Sequence, residues 1–276
     1  MSTIRDLLAA ASGSGDIEAR HEAEILLGHV LERERAWLFS HADLVLDAAA
    51  AERFRELIMA RQRGEPVAYL VGHRGFWTLD LIVTPDVLIP RPETELLVEL
   101  ALERIPIDGE SRIADLGTGS GAIALAIASE RPRAHIVATD ASVPALAVAA
   151  LNATQLEIAN VEFVEGDWCA ALDARTFDII VSNPPYIAAG DRHLAQGDLR
   201  FEPSSALASG TDGLDAIGRI INAATRHLAS GGWLLLEHGY DQGERVRLIL
   251  VQHGFETVQT WRDISGNDRV SGGKRS

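Results

Sequence analysis

The chain has 276 residues, of which 47% are hydrophobic and 24% charged. This composition is typical of compact globular proteins, and the length fits one domain of middling size with a smaller second one. Acidic residues number 40 against 25 basic ones, so the formal net charge is −15. Such a charge removes the general attraction to phosphate that supplies most non-specific nucleic-acid affinity, and we expect no direct nucleic-acid partner.

Several other classes of protein are disfavoured by the sequence. The amino terminus has no apolar stretch of signal-peptide length, and no run reaches the roughly 20 apolar residues of a membrane span. We therefore expect a cytoplasmic location and no membrane partner. The nine histidines are scattered without a ligand-type spacing, so no metal site is predicted. The single cysteine, Cys169, is interpreted as a small buried hydrophobe.

Residues 1–70 are predicted to form a small all-helical domain. Apolar residues recur at helical spacing in three stretches between residues 4 and 58. Polar segments at 12–16 and 41–43 are interpreted as turns between helices. No residue in this part of the chain suggests chemistry.

The pattern changes after Gly64-Glu65-Pro66. Two short runs rich in β-branched and aromatic residues follow, Phe76 to Leu79 and Leu81 to Val83, and Pro85 comes after them. These features predict a β-hairpin, which we place in a linker over residues 71–88.

Strand candidates alternate with helix candidates in the remaining part, residues 89–276. This alternation predicts an α/β domain with a mostly parallel sheet and helices on both faces. The predicted strands cover residues 112–116, 135–139, 161–165, 177–182, 232–237 and 255–261, and the predicted helices cover 122–128, 144–152, 216–228 and 243–253.

The first predicted strand runs into a glycine turn, Gly117-Thr118-Gly119-Ser120-Gly121, which precedes a helix. Glycines let the backbone approach a ligand closely, and the start of a helix offers free N–H groups. Such turns also occur for structural reasons, and the spacing departs from the G-x-G-x-x-G of NAD and FAD sites. We interpret the turn as a candidate nucleotide site.

Acidic residues follow the next two predicted strands. Asp140 comes about 20 residues after the glycines, where a carboxylate can bind ribose hydroxyls, although it could equally cap the helix that starts near Ser142. Asp167 and Trp168 end the third strand, and they could receive an adenine amino group and stack on its ring. Their alternative interpretation is a turn aspartate followed by a core tryptophan.

The fourth predicted strand ends in Asn183-Pro184-Pro185-Tyr186. The two prolines stiffen this loop and leave carbonyl oxygens free to accept hydrogen bonds. A conjugated nitrogen is a poor nucleophile, and acceptors from Asn183 and Pro184 would localise its lone pair toward a methyl donor. Tyr186 would cover the planar group by stacking. The loop therefore indicates methylation of an amide or amino nitrogen, unless it is only a rigid turn.

The chain resembles the release factor glutamine methyltransferases, also called the HemK or PrmC family, within the class I S-adenosylmethionine-dependent methyltransferases. The resemblance covers nearly the whole sequence. It is carried by Gly64 to Leu70, Gly72-His73-Arg74, Ile89 to Glu95, Asp115 to Gly121, Asn183 to Ile187, Glu202-Pro203, Ala206-Leu207, Asp212-Gly213-Leu214 and Asn267 to Val270.

The resemblance implies a Rossmann-like sheet, a helical amino-terminal domain that helps to hold the substrate, and S-adenosyl-L-methionine as cofactor. The implied substrate is the side-chain amide nitrogen of the glutamine in the Gly-Gly-Gln motif of class 1 peptide chain release factors. The implied cofactor contacts are Gly117 to Gly121, Asp140, Trp168 and Asn183, to which the strand-end argument adds Asp167. The implied glutamine contacts are Asn183 to Tyr186.

Two questions stay open at the level of sequence. Within Arg91 to Glu95, Thr94 or Glu95 could cap a helix or help to close the site. An adenine N6 methyltransferase acting on nucleic acid would use the same Asn-Pro-Pro-Tyr chemistry, although the net charge argues against it. An NAD-dependent oxidoreductase would explain Asp140 but not Asn183 to Tyr186.

Overall fold

The computed structural model describes residues 2–12 and 16–276. The chain divides into two compact units, Met1–His73 and Arg74–Ser276. Of the turn predicted at 12–16, the three central residues lie outside the described residues. The turn predicted at 41–43 is present.

The first unit is helical, as predicted. Two of its helices begin at an aspartate whose side chain accepts a backbone N–H of the first turn: Asp16 from Ala19 at 3.0 Å, and Asp47 from Ala50 at 2.7 Å. Such caps satisfy N–H groups that have no partner within the helix. The helices are α1 (Ile4–Ser12), α2 (Ile17–Leu31), α3 (Arg35–Ser40), α4 (Ala48–Gln62) and α5 (Val67–Val71).

A two-stranded hairpin follows, formed by β1 (His73–Phe76) and β2 (Leu79–Ile82). The hairpin was predicted, but its first strand was placed too late, because Trp77 and Thr78 form the turn instead of continuing a strand. Trp77 has a φ of 56°, in the left-handed region. Glu95 Oε1 accepts its N–H at 2.8 Å, which holds this unusual backbone.

The second unit is built on a seven-stranded sheet with helices on both faces. The strands are β3 (Arg112–Leu116), β4 (His135–Asp140), β5 (Val161–Glu165), β6 (Phe177–Ser182), β7 (Leu228–Glu237), β8 (Phe255–Arg262) and β9 (Asp268–Arg275). The helices are α6 (Glu95–Leu102), α7 (Ala122–Glu130), α8 (Val143–Gln155), α9 (Ser204–Leu207), α10 (Asp215–Ala224) and α11 (Gly243–Gln252). Short 3-10 turns cover Pro92–Thr94, Trp168–Leu172, Arg192–Ala195 and Gly197–Phe201.

The strand order is β5-β4-β3-β6-β7-β9-β8. The five strands from β5 to β7 are parallel, whereas β9 is antiparallel to both of its neighbours. The chain steps outward from β3 in one direction and then returns to place β6 on its other side. Ligands of open α/β sheets bind in the crevice at such a switch point, outside the carboxyl ends of the strands.

The register brings four strand ends to one level. Leu116 pairs with both Thr139 and Ser182, and Ser182 pairs with Leu236. The residues that follow these positions therefore start at the same edge of the sheet. This is why the glycine turn, Asp140, Asn183 and Glu237 approach one another despite their distance in sequence.

Neighbouring strand residues belong to two separate apolar cores. Ile113 and Ile179 pack in the cluster that contains residues of α6 and α7, whereas Ala114 and Ile180 pack in the cluster with α10 and α11. Because successive strand side chains point to opposite faces, this alternation fixes which helices cover each face. The predicted α/β architecture is confirmed.

The structure corrects the sequence-based assignment near the carboxyl terminus. The helix predicted over 216–228 ends at Ala224, and the following strand begins at Leu228 instead of Gly232. Strand β9 was not predicted, because its Ser-Gly-Gly sequence is typical of a turn. A Cβ at Gly272 would lie 2.6 Å from the Leu234 carbonyl oxygen, so this glycine permits close strand packing.

Candidate active site

A cavity of about 350 Å³ lies at the carboxyl edge of the sheet. Seven of the sequence-predicted site residues line it: Gly117, Gly119, Asp140, Asp167, Trp168, Asn183 and Pro185. The predicted residues Thr118, Ser120, Gly121, Pro184 and Tyr186 are not among the lining residues. Four sequence motifs separated by up to 68 positions thus share one cavity.

The glycine turn is shaped by left-handed backbone at Gly117, Gly119 and Gly121, with φ of 74°, 56° and 85°. A Cβ at Gly117 would lie 2.8 Å from the Trp168 ring, whereas one at Gly119 would meet no protein atom within 4 Å. The first glycine therefore admits the indole ring, and the second leaves space at the cavity. Gly121 directly precedes helix α7.

A buried carboxyl lies under the turn. Asp115 Oδ2 accepts the Thr118 hydroxyl at 2.6 Å, while its Oδ1 is buried without a partner among the described residues. Burial raises the pKa of Asp115 to about 7, the Thr118 hydroxyl and the Ala124 N–H lower it, and Asp140 raises it. Thr118 therefore supports the turn from below instead of facing the cavity.

Asp140 connects the glycine turn to helix α8. Its Oδ2 accepts the Gly119 N–H at 2.9 Å and its Oδ1 accepts the Ser142 N–H at 2.8 Å. The cap of α8 is Ser142 itself, whose hydroxyl accepts the Ala145 N–H at 3.2 Å. A carboxylate has about four acceptor positions, so Asp140 retains acceptor capacity toward the cavity that it lines.

Asp167 and Trp168 line the same cavity as Asp140. Trp168 has a left-handed φ of 52°. Asp167 also forms an ion pair with Arg219 of α10, which the sequence-based prediction did not include. Its Oδ2 faces that guanidinium, so a ligand amino group would have to share the carboxylate with Arg219.

Asn183 has an oriented side-chain amide. Its Nδ2 donates to the Thr94 hydroxyl at 3.2 Å, and no described residue donates to its Oδ1. Thr94 is buried in the 3-10 turn that precedes α6 and its side chain makes no capping bond. The Thr94 side chain therefore contacts Asn183 and does not cap α6.

Tyr186 is anchored at both its hydroxyl and its carbonyl. The hydroxyl donates to Glu237 Oε1 at 3.3 Å, and burial raises its pKa. The carbonyl accepts from Gln242 Nε2 at 2.9 Å. A Cβ at position 213 would lie 2.1 Å from the Tyr186 carbonyl oxygen, which explains why this residue is a glycine. These contacts fix the end of the Asn-Pro-Pro-Tyr loop.

The motif before α6 is joined to the Glu202-Pro203 motif. Arg91 Nη2 lies 2.6 Å from Glu202 Oε2, and the Ile89 N–H lies 3.0 Å from Glu202 Oε1. The Glu202 side chain is fully buried, and burial raises its pKa while Arg91 lowers it. Pro203, the next residue, lines the cavity, so this pair shapes its wall.

His238 and Cys169, two residues that could take part in chemistry, are both buried away from the cavity lining. His238 is buried and contacts the Ser271 hydroxyl at 2.7 Å, and burial lowers its pKa. Cys169 is buried, which raises the pKa of its thiol to about 12 and disfavours the thiolate.

Within residues 2–12 and 16–276, no cluster of three or more potential metal ligands occurs. No helix in the same ranges is both long and apolar enough to cross a membrane.

Two protein families match this chain. Residues 3–72 match the PrmC N-terminal domain, and residues 93–202 match the Methyltransferase small domain. A release factor glutamine methyltransferase of Xylella fastidiosa strain Temecula1 is 58% identical over 268 residues, which are 97% of this chain and 96% of that protein. The chain belongs to the release factor glutamine methyltransferase family.

This membership confirms the resemblance that the sequence motifs indicated, and the protein is a methyltransferase. A second relative in the release factor glutamine methyltransferase family, from Pseudomonas aeruginosa, is 50% identical over 99% of both chains. Among solved structures, the T. thermophilus 16S rRNA N2 G1207 methyltransferase in complex with AdoMet and guanosine gives a TM-score of 0.53. It is 21% identical and the match covers 74% of this chain and 50% of that one, so it supports the fold alone.

Proposed function

We propose that this protein transfers a methyl group from S-adenosyl-L-methionine to the side-chain amide nitrogen of a glutamine, in the Gly-Gly-Gln motif of class 1 peptide chain release factors. The observation that carries the proposal is the orientation of Asn183. Its amide nitrogen is engaged by Thr94, so the free Oδ1 is available at the cavity to accept a substrate N–H.

The residues that line the cavity fit S-adenosylmethionine. The open space at Gly119, the acceptor capacity of Asp140 and the half-buried ring of Trp168 suit an adenosine. Gly117 and Asp167 complete this set, and Arg219 holds the Asp167 carboxylate. When bound, the cofactor supplies an electrophilic methyl group on a sulfonium.

The Asn-Pro-Pro-Tyr loop would prepare the nitrogen for attack. Asn183 Oδ1 and the Pro184 carbonyl accept the two N–H hydrogens of the substrate amide, which opposes delocalisation of its lone pair and orients it. These acceptors also stabilise the positive charge that develops on nitrogen during transfer. Tyr186 would flank the planar amide while its hydroxyl stays bound to Glu237.

Substrate choice rests on family membership and charge. The relatives from Xylella and Pseudomonas are named for release factor glutamine, and the net charge of −15 disfavours a nucleic-acid substrate. The helical unit matches the family's amino-terminal domain, and we assign it a role in holding the release factor.

The test is methyl transfer from isotope-labelled S-adenosylmethionine to a purified class 1 release factor, with the methylated residue located by mass spectrometry. We expect one methyl group on the Gly-Gly-Gln glutamine, and none on a release factor whose glutamine is replaced by glutamate, which has no amide. A parallel reaction with adenine-containing DNA and RNA tests the alternative substrate. Label in nucleic acid, with none in the release factor, would overturn the proposal.

A further inference from the structure

The side chain of Asn152 makes three hydrogen bonds that are not part of the site described so far. Asn152 lies on α8 and is fully buried. Its Oδ1 accepts the Ile82 N–H at 2.7 Å, and its Nδ2 donates to the Ile82 carbonyl at 3.0 Å and to the Ser120 carbonyl at 2.9 Å. Both hydrogens of the amide are therefore used, and the amide has one orientation.

The contact with Ile82 takes the place of a neighbouring strand. Ile82 ends β2 of the two-stranded hairpin, and a side-chain amide offers the same donor and acceptor as a peptide group. The chain then turns, because the Val87 N–H donates to the Thr84 carbonyl at 3.1 Å, and residues 86–88 line the cavity. Asn152 thus fixes the start of a short segment that ends at the cavity.

The contact with Ser120 reaches the glycine turn. Ser120 is buried, and it lies between Gly119, which lines the cavity, and Gly121, which precedes α7. A buried carbonyl without a donor is costly, so the bond from Asn152 both satisfies this oxygen and holds the turn. The turn is thereby fixed at two points, by Asp140 at the Gly119 N–H and by Asn152 at the Ser120 carbonyl.

We propose that Asn152 is a positioning residue for cofactor binding, which sets the spacing between the glycine turn and residues 86–88 at the S-adenosylmethionine cavity. The proposal deepens the proposed function and rests on it. Segments that are already ordered bind a ligand more tightly than segments that must be ordered on binding. Asn152 is not among the residues that line the cavity, so its loss should weaken cofactor binding and leave the chemistry of methyl transfer unchanged.

The first test measures S-adenosylmethionine binding to Asn152→Leu by isothermal titration calorimetry. Leucine has a similar size but no hydrogen-bonding group. We expect the dissociation constant to rise about tenfold or more at unchanged stoichiometry, with kcat at saturating cofactor within about threefold of wild type. A purely structural role would instead lower the stoichiometry, because part of the protein would be unfolded, and keep the dissociation constant of the wild type. That result would overturn the proposal.

Asn160→Leu is the matched control. Asn160 directly precedes β5, at the opposite edge of the sheet from the cavity. Its Nδ2 lies within 3.4 Å of three backbone carbonyls, those of Ala128, Arg131 and Ala134. Asn160→Leu should therefore lower stability while the dissociation constant stays within about twofold of wild type. An equal rise of the dissociation constant in the two variants would identify general destabilisation as the cause and overturn the proposal.

The second test requires neither cofactor nor release factor. Amide hydrogen exchange is followed by 1H–15N NMR at Gly119 and Val87, whose N–H groups are bonded to Asp140 and Thr84 and not to Asn152. We expect faster exchange at both amides in Asn152→Leu and wild-type exchange in the control variant. Unchanged exchange in Asn152→Leu would overturn the proposal. If the wild type binds no S-adenosylmethionine, the proposed function fails, while these rates still decide whether Asn152 holds the two segments.

A measurement on the wild type covers the case in which Asn152→Leu does not fold. Coupling between two positions is reciprocal, so cofactor binding should in turn protect the amide that Asn152 holds. We expect exchange at Ile82, which does not line the cavity, to slow about threefold or more when S-adenosylmethionine saturates the protein. The same rate with and without bound cofactor would overturn the proposal.

Discussion

Arg91 Nη2 lies 2.6 Å from Oε2 of the fully buried Glu202. The pair joins segments 111 positions apart, and Glu202 also accepts the Ile89 N–H. Removing the guanidinium would leave a buried carboxylate without its main partner, which is more costly than the loss of an exposed ion pair.

We therefore expect Arg91→Ala to lower the free energy of unfolding by roughly 2 kcal/mol. Urea denaturation measures this change. The matched control is Arg133→Ala, because the Arg133–Glu110 pair is exposed on both sides and should contribute less than about 1 kcal/mol. Equal effects in the two variants would show that the Arg91 pair is no stronger than a surface one.

Gly213 is predicted to be intolerant of any side chain. Its φ is 79°, and a Cβ would lie 2.1 Å from the Tyr186 carbonyl oxygen. Because Tyr186 ends the Asn-Pro-Pro-Tyr loop, Gly213→Ala should displace the loop and lower kcat about tenfold or more. Gly190→Ala is the control, since a Cβ there meets nothing within 4 Å. The prediction is wrong if both variants keep wild-type kcat.

Much of the candidate site was predictable because strands with regular patterns end where the residues that line the cavity begin. The strands over 112–116, 161–165 and 177–182 were predicted with their observed bounds. Parallel strands share a carboxyl edge, so their alignment alone brings the glycine turn toward Asp140 and Asn183.

Tertiary contacts involve residues whose roles the sequence left open, such as Thr94, or did not reveal, such as Glu237 and Arg219. Thr94 reaches Asn183 across 89 positions, and its neighbours Pro92 and Glu95 resemble an ordinary helix start. Glu237 ends an apolar strand, and only the register shows that it lies beside the Asn-Pro-Pro-Tyr loop. Arg219 lies on an amphipathic helix where a charged residue is expected on the exposed side.

Asp140 is predicted to contribute to cofactor binding both directly and through the glycine turn. Asp140→Ala removes the acceptor of the Gly119 N–H and should weaken S-adenosylmethionine binding by roughly 1 to 3 kcal/mol. Isothermal titration calorimetry measures the dissociation constant. Asp140→Asn retains an acceptor oxygen and should lose less. An unchanged dissociation constant in Asp140→Ala would restrict this residue to a structural role.

Asn183→Ala is predicted to separate chemistry from cofactor binding. The substitution removes an acceptor needed mainly as charge develops on the substrate nitrogen, so kcat should fall by about 100-fold or more. The dissociation constant of S-adenosylmethionine should change much less. Single-turnover methylation and calorimetry on the same preparation test both parts, and near-normal turnover would contradict the proposed mechanism.

Asp115 is predicted to make the protein more stable below neutral pH than above it. Its pKa is about 7 in the folded protein, chiefly because of burial, against an ordinary value near 4 for an unfolded chain. Between these values the folded state binds more protons than the unfolded state, so the free energy of unfolding decreases as the pH rises.

Asp115→Asn removes this titration while preserving the shape of the side chain. Between pH 4.5 and 7.5 the stability of the wild type should decline relative to this variant by an amount on the order of 2 kcal/mol. Urea denaturation at a series of pH values gives this difference, in which the titration of the other carboxyls cancels. Parallel stability curves would mean that Asp115 ionises near its ordinary pKa, and that its buried Oδ1 is compensated in solution.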